Sequence, residues 1–206
     1  MSNIFDRHYK KYDTWYDRNK FAYLSELKAI EKVLPRGKKG MEIGVGTGRF
    51  AAPLGIEFGI DLSKNMIKIA RQRGVDARLG SGECPPFKNS TFDYAAIIIT
   101  ICFVKDPQKV LKETGRILKK NGKIIIGIID KDSFLGKFYQ EKKSVFYKHA
   151  DFFSVKEITD LLKVSGFKRF VYYQTIFKSI DKIDSIERPK KGFGKGSFVV
   201  ISGEKT

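Results

Sequence analysis

Two kinds of hydrophobic pattern alternate along the chain. Short, nearly continuous apolar runs are separated by longer stretches in which apolar positions recur every three or four residues. The first stretch, residues 3–34, is of the second kind. Tyr16, Tyr23, Leu24, Leu27, Ile30 and Val33 mark one helical face, and Pro35, Gly37 and Gly40 end it. Residues 41–45 read as a short buried strand that runs straight into a glycine loop. Residues 48–54 are at most a short helix, cut by Pro53. Residues 56–60 form a second strand. Ser63 is placed to cap a helix over 64–73, with Met66, Ile67 and Ala70 on its inner face. Residues 75–79 form a third strand.

The run 92–100 is almost wholly apolar and includes the β-branched trio Ile97, Ile98 and Ile99, the pattern of a strand buried on both faces. Asp106 caps a helix that starts at Pro107 and reaches about residue 119. Asn121-Gly122 reads as a turn into another apolar strand, 123–129. Residues 132–148 carry several aromatics and are expected to be helical. Ser154 caps a further helix that ends at Gly166, where glycine supplies a left-handed C-cap. Residues 169–176 and 197–203 complete the set as two closing strands, joined by a connection rich in Lys and Gly. Strands alternating with helices at this spacing predict one doubly wound α/β domain, a Rossmann-like seven-stranded sheet with helices on both faces. The right-handed crossover rule puts the carboxyl ends of the parallel strands on one edge, where ligands bind.

Composition narrows the class. A chain of 206 residues with 42% hydrophobic and 31% charged content forms a globular core rather than a disordered segment. No apolar run approaches the roughly 20 residues that span a bilayer, so no membrane association and a cytoplasmic location are expected. The two cysteines, Cys84 and Cys102, cannot build a disulfide framework, and no Cys/His spacing suggests a metal. Both are expected to be reduced residues of the core or of a pocket wall. Lys and Arg number 40 against 23 Asp and Glu, a formal charge of +17. Because the basic residues are dispersed, a solvated surface explains them and no specific nucleic-acid partner is expected. One local cluster, Arg188, Lys190, Lys191 and Lys195, falls in the last connection with Pro189 and three glycines, and reads as a mobile surface loop.

The chemistry concentrates at the ends of the early strands. Glu42-Ile43-Gly44-Val45-Gly46-Thr47-Gly48 follows the first strand directly, and its glycines permit a sharp turn and close backbone approach to a ligand. Asp61 ends the second strand, where a carboxylate accepts both hydroxyls of an adenine-linked ribose. The loop lacks the full GxGxxG spacing of nicotinamide dehydrogenases and the lysine of a phosphate-binding loop. Gly80-Ser81-Gly82-Glu83 follows the third strand, with Pro86-Phe87 and Phe92-Asp93-Tyr94 beyond.

These segments, in this order, resemble the class I S-adenosylmethionine-dependent methyltransferases, in the branch of small enzymes similar to those of quinone biosynthesis. Glu42 to Gly48 is similar to the family's glycine motif and Gly59-Ile60-Asp61-Leu62-Ser63 with Met66 to its ribose motif. Gly82-Glu83 with Pro86-Phe87 is similar to its adenine-side motif, and Arg116-Ile117-Leu118 with Gly122 to the segment before the fifth strand. The resemblance implies a mostly parallel sheet with an antiparallel final strand, and S-adenosylmethionine as cofactor. It further implies binding by Glu42, Gly44, Val45, Gly46 and Thr47 around the methionine part, Asp61 at the ribose, and Leu62, Ser81, Gly82 and Glu83 around the adenine. Thr100 would close the pocket at the end of the fourth strand. Ser81 departs from the family, which often has an acidic residue there.

Methyl transfer needs in-line positioning and exclusion of water more than a catalytic side chain. No nucleophile–base pair stands out. His8 lies in an N-terminal segment that could cover the site, but a solvated histidine is the simpler reading for both His8 and His149. The chain is expected to divide into an N-terminal helical lid (1–34), a cofactor-binding core (40–130), a helical insert (131–150) and a C-terminal completion of the sheet (151–206). Phe5, Tyr9, Tyr12, Trp15 and Tyr16 in the lid, and Phe134, Phe138, Tyr139, Phe146 and Tyr147 in the insert, either wall an acceptor pocket or seal these segments to the sheet. The expected partner is a small-molecule methyl acceptor. The competing readings are an RNA or protein methyltransferase that uses the basic surface, and a non-catalytic cofactor-binding domain.

Overall fold

The computed structural model describes residues 2–142 and 144–206. Its strands are β1 (Gly40–Ile43), β2 (Phe58–Asp61), β3 (Asp76–Leu79), β4 (Phe92–Ile98), β5 (Leu118–Ile129), β6 (Phe167–Thr175), β7 (Lys190–Lys191) and β8 (Phe198–Lys205). Its helices are α1 (Ser2–Arg7), α2 (Tyr9–Arg18), α3 (Lys20–Glu31), α4 (Lys64–Gln72), α5 (Pro107–Ile117), α6 (Phe134–Glu141) and α7 (Val155–Val164). The strands make one sheet in the order β3-β2-β1-β4-β5-β8-β6-β7. From β3 to β5 the pairings are parallel, and β8 inserts antiparallel between β5 and β6. After β1 the chain winds outward through β2 and β3, then returns to β4 on the other side of β1. The strand order therefore reverses between β1 and β4, and the crevice outside their carboxyl ends is the favoured ligand position of such sheets.

Alternate residues of the central strands feed two separate cores. Tyr94, Ala96 and Ile98 of β4, Ile125 and Ile129 of β5, and Phe198 and Val200 of β8 face α2, α3 and α6. Ala95 and Ile97, Ile124, Ile126 and Ile128, and Val199 and Ile201 face α5 and α7. A two-residue period on a sheet covered on both sides requires this, because successive side chains leave opposite faces.

The predicted helix starts hold where a short polar side chain caps them. Ser63 accepts from the Met66 N–H at 3.2 Å, Asp106 from the Lys109 N–H at 2.9 Å, and Ser154 forms a reciprocal capping box with Glu157. Gly166 takes the left-handed conformation that ends α7.

Several expectations need correction. The sheet has eight strands among the described residues, not seven. The additional one is β7, two lysines paired with Tyr173 and Gln174 at the sheet edge. The basic connection expected to be a mobile loop is thus partly ordered, and the Gln174 carboxamide oxygen accepts from the N–H groups of Lys195 and Gly196. The predicted helix 3–34 is three helices, broken at His8 and Asn19. Residues 48–54 form turns and no helix. Asn121-Gly122 is not a turn before the strand. It is an irregularity inside β5, where the register against β4 shifts and Asn121 adopts φ 59°. The predicted helix 132–148 shortens to α6 and a 3-10 turn over Tyr147–His149, and Lys143 lies outside the described residues, as does Met1. Cys84 is exposed rather than a core or pocket residue. Cys102 lies in an apolar wall with Ile101, Ile128 and Phe152, and burial pushes its thiol up to about 12.

Candidate functional site

The glycine loop after β1 sits in the β1/β4 crevice. Gly44, Gly46 and Gly48 all have positive φ, at 73°, 52° and 80°. At Gly44 a side chain is impossible, because an added Cβ would lie 2.2 Å from Thr100 Cγ2. Thr100 therefore stands at the end of β4 against the loop, its hydroxyl donating to the Ile98 carbonyl at 2.9 Å. Its neighbour Ile99 has φ 49°, a strained value for a β-branched residue and the kind of outlier found where backbone is shaped for a site. Over Gly46 the protein leaves more room. The nearest atoms an added Cβ there would meet are those of the Tyr12 ring at 3.5 Å and Met66 Sδ at 3.7 Å.

Two carboxylates flank this loop. Asp61, at the end of β2, accepts from the Gly46 N–H at 2.9 Å and the Ser63 N–H at 2.8 Å. Burial raises its pKa, and those backbone donors pull in the other direction. Glu42, on β1, is 1% exposed. Burial raises its carboxyl well above the usual range, the Ala51 N–H lowers it, and Asp61 raises it further. Among the described residues Glu42 Oε2 has no hydrogen-bond partner. An orphaned buried oxygen beside a glycine cradle suits a ligand that brings hydrogen-bond donors.

The other predicted residues take diverse positions. Val45 is buried and fills the space over Gly59, where an added Cβ would meet it at 2.6 Å. Thr47 is fully buried and donates to Asp13 at 2.6 Å. Leu62 is 53% exposed beside Asp61, an apolar surface open to a flat partner. Ser81 accepts from the Glu83 N–H at 3.1 Å, and Gly82 lies where a side chain would run into Ile43. The Glu83 carboxylate accepts from the N–H groups of Lys105 and Asp106, so it anchors the entry to α5. Arg116 donates to the carbonyls of Phe87 and Pro85, which joins two of the sequence motifs in one place.

The sequence did not single out how the N-terminal helices attach. Asp13 on α2 is held in paired hydrogen bonds by Arg49, at 2.9 and 2.8 Å, and by Arg73, at 2.8 Å twice. Arg49 also binds both oxygens of Asp17. Burial pushes the Asp13 carboxyl up, but the hydrogen bonds of Arg73, Arg49 and Thr47 outweigh it and hold it well below the usual range. Arg73 reaches the Thr47 carbonyl as well, so the same network grips the glycine loop. On α1, Asp6 accepts from the Ser63 hydroxyl at 2.7 Å and the Asn65 N–H at 3.0 Å, at the start of α4. Residues Asp6, Asp13 and Asp17 carry no motif, and only their spacing within a short helical segment could have drawn notice.

Under these helices lies a cavity of ≈ 580 Å³. Its wall includes Tyr12, Trp15 and Tyr16 from α2, Glu26 from α3, Tyr139 from α6, and Tyr147. Of the ten aromatics proposed from the sequence, nine line it or stack on its lining; Tyr9 does not. Tyr12 belongs to both the cavity wall and the cover of Gly46, and Ile99 lines the cavity beside Thr100. The cavity thus adjoins the glycine loop. His8 packs edge-on near Phe146 with ring centroids 6.2 Å apart, and His149 is exposed. Among the described residues, no group of His, Cys, Asp and Glu could hold a metal. No helix among the described residues is long and apolar enough to cross a membrane.

A crystal structure of an S-adenosylmethionine-dependent methyltransferase from Thermotoga maritima, described as a possible histamine N-methyltransferase, superposes with a TM-score of 0.98. It is 50% identical over 100% of both chains. The chain belongs to the S-adenosylmethionine-dependent methyltransferases. A family profile for the Methyltransferase domain matches residues 41–126, the stretch from β1 to β5. An uncharacterised protein of Methanocaldococcus jannaschii is 51% identical over 98% of this chain and 99% of its own length. A demethylmenaquinone methyltransferase of Geobacillus sp. is 30% identical over 61% of each. This methyltransferase therefore uses S-adenosylmethionine, and the glycine loop, the orphaned Glu42 oxygen and Asp61 fit that cofactor's ammonium and hydroxyl donors.

Proposed function

We propose that the enzyme methylates a small molecule seated in the aromatic cavity, with the cofactor in the β1/β4 crevice. Glu42, Gly44, Val45, Gly46 and Thr47 would hold the methionine part, Asp61 the ribose, and Leu62, Ser81, Gly82 and Glu83 the surroundings of the adenine. Thr100 would close the pocket. When bound, the cofactor supplies an electrophilic methyl group on a sulfonium. The chain's own contribution is to position and to exclude water. Tyr12 faces both sites, and the Asp13–Arg49–Arg73 network fixes the helices that cover them. Residues 1–34 then act as the lid and 131–150 as the second wall.

The observation that carries this reading is the ≈ 580 Å³ aromatic cavity adjoining the glycine loop. Its volume suits a small ligand. A relative described as a possible histamine N-methyltransferase is consistent with a small acceptor. In the basic cluster, Lys190 and Lys191 belong to an edge strand paired with Tyr173 and Gln174, and the Lys190 ammonium lies 4.8 Å from the Phe177 ring centroid, so part of that charge is engaged within the chain.

A labelled-methyl screen against metabolite, RNA and protein pools tests the proposal. Label should appear in a small-molecule fraction. Label confined to RNA or protein overturns it.

A further inference from the structure

We propose that Glu26 is the specificity group of the acceptor cavity, and that the acceptor is a small organic ammonium compound whose cationic end sits against it. This rests on the reading of the cavity as the acceptor site.

Glu26 lies on the inner face of α3, between the buried residues Ser25 and Leu27. It is 1% exposed and lines the cavity, and among the described residues its Oε2 has no hydrogen-bond partner. Among the described residues it forms no ion pair. Burial alone pushes its pKa to about 8. A carboxyl in such a place destabilises the fold unless something compensates it, because charge and unpaired polar oxygen are both costly away from water. The contrast with Asp13 is direct. That carboxylate is met by two guanidinium groups, while Glu26 is met by none. The compensation is left to a ligand.

The surroundings specify the ligand's chemistry. The wall around Glu26 is built from Tyr12, Trp15, Tyr16, Tyr139 and Tyr147, whose ring faces carry negative potential. Tyr139 and Tyr147 stack with centroids 4.4 Å apart, and the Tyr16 hydroxyl donates to that of Tyr12 at 2.7 Å, so the wall is preorganised. An ammonium group satisfies a carboxylate and aromatic faces together. A neutral acceptor can donate a hydrogen bond to the Glu26 oxygen but does not offset its charge, and an anionic acceptor opposes that charge. The basic residues that reach the cavity, Lys11, Arg18 and Lys142, are all exposed and stand at its rim.

Calorimetry on the full chain saturated with S-adenosylhomocysteine tests this. The probes are a panel of alkyl- and arylalkylammonium compounds, each with its neutral alcohol isostere and a carboxylate counterpart. Ammonium members should bind at least about tenfold more tightly than their isosteres. Glu26→Gln should remove that advantage while leaving S-adenosylhomocysteine affinity unchanged. Failure of every ammonium member to bind, equal binding of the isosteres, or an advantage that survives in Glu26→Gln overturns the assignment. If the variant does not fold, the wild-type comparison decides alone. Failure of the wild type to bind S-adenosylhomocysteine in the saturating titration that precedes the panel counts against the cofactor-and-cavity reading itself. Cofactor-product binding with a preference for alcohols or carboxylates overturns only the ammonium assignment.

Discussion

The two faces of the sheet are packed on different principles. The buried core under α5 and α7 is mainly aliphatic, with Ile97, Val110, Leu111, Ile124, Ile126, Ile158 and Leu162 wholly inaccessible, and its buried aromatics, Phe92 and Phe167, carry no hydroxyl. The face under α2, α3 and α6 is aromatic and includes Tyr16, Tyr94, Tyr139 and Phe50, together with the buried Glu26 and the ≈ 580 Å³ cavity. Aliphatic side chains interdigitate to crystal-like density and leave no polar atom to satisfy. Tyrosines fill space less completely and bring hydroxyl groups that need partners. The first face holds the sheet together, and the second gives up some packing to keep a walled, polar-tipped space beside the glycine loop. Such a sacrifice of stability near a site is a common feature of working enzymes.

The sharpest way to break this contrast is at the loop both halves share. Gly46→Val should abolish S-adenosylhomocysteine binding in calorimetry. The valine would sit at φ 52°, strained for a β-branched residue, and its side chain would project toward Tyr12. Retained binding would show that the space over Gly46 is not the cofactor's.

On the aliphatic face, Leu111→Ala should lower stability by about 2–5 kcal/mol in urea unfolding, the range for a fully buried leucine, with cofactor affinity little changed. A cost under about 1 kcal/mol would mean that this face is looser than its burial indicates.

Asp61→Ala should weaken S-adenosylhomocysteine binding by about 1.5–3 kcal/mol, the scale of hydrogen bonds to a charged group. Asp61 also accepts from the Gly46 and Ser63 N–H groups, so some of that loss will come from a loosened loop. Unchanged affinity would remove Asp61 from the ribose.

The last effect concerns Glu26 and pH. Its folded pKa, about 8, stands above the ordinary carboxyl value of 4.5. Between these values the folded state binds the proton and the unfolded state does not, so stability falls as pH rises from about 4.5 to 8. Relative to the parent, Glu26→Gln should therefore gain stability as pH rises from 5 to 8, by up to about 4 kcal/mol at ~1.36 kcal/mol per pH unit, with the gap narrowing toward pH 5. Thermal unfolding at the two pH values measures it. An equal gap at both would show that Glu26 does not titrate in this window, and would take away one cost of holding it in the cavity.

Alternation of apolar runs with helical periodicity determined the doubly wound class, and four ordered motifs determined the family. These signals are local. A strand buried on both faces must be apolar throughout, a helix start needs a capping oxygen within three residues, and a turn such as that at Gly44 needs glycine. Hence the starts of α4, α5 and α7 were legible at Ser63, Asp106 and Ser154, and the glycine loop at Gly44 to Gly48. Local signals failed where a partner lay far away. Asn121-Gly122 looked like a turn because its dipeptide preference is the same in a turn and in the β5 irregularity, and only the register against β4 distinguishes them. Lys190 and Lys191 looked mobile because pairing with β6 leaves no mark on their own sequence. The Asp13 network joins residues 36 and 60 positions apart, and Glu26 meets aromatics supplied by α2, α6 and the turn after it. A charged residue in a helix is ordinarily solvated, so nothing in the local sequence marks Glu26 as buried. The tertiary structure put it inside, because the α3 face that carries Ala22, Ala29 and Ile30 into the core carries Glu26 with it.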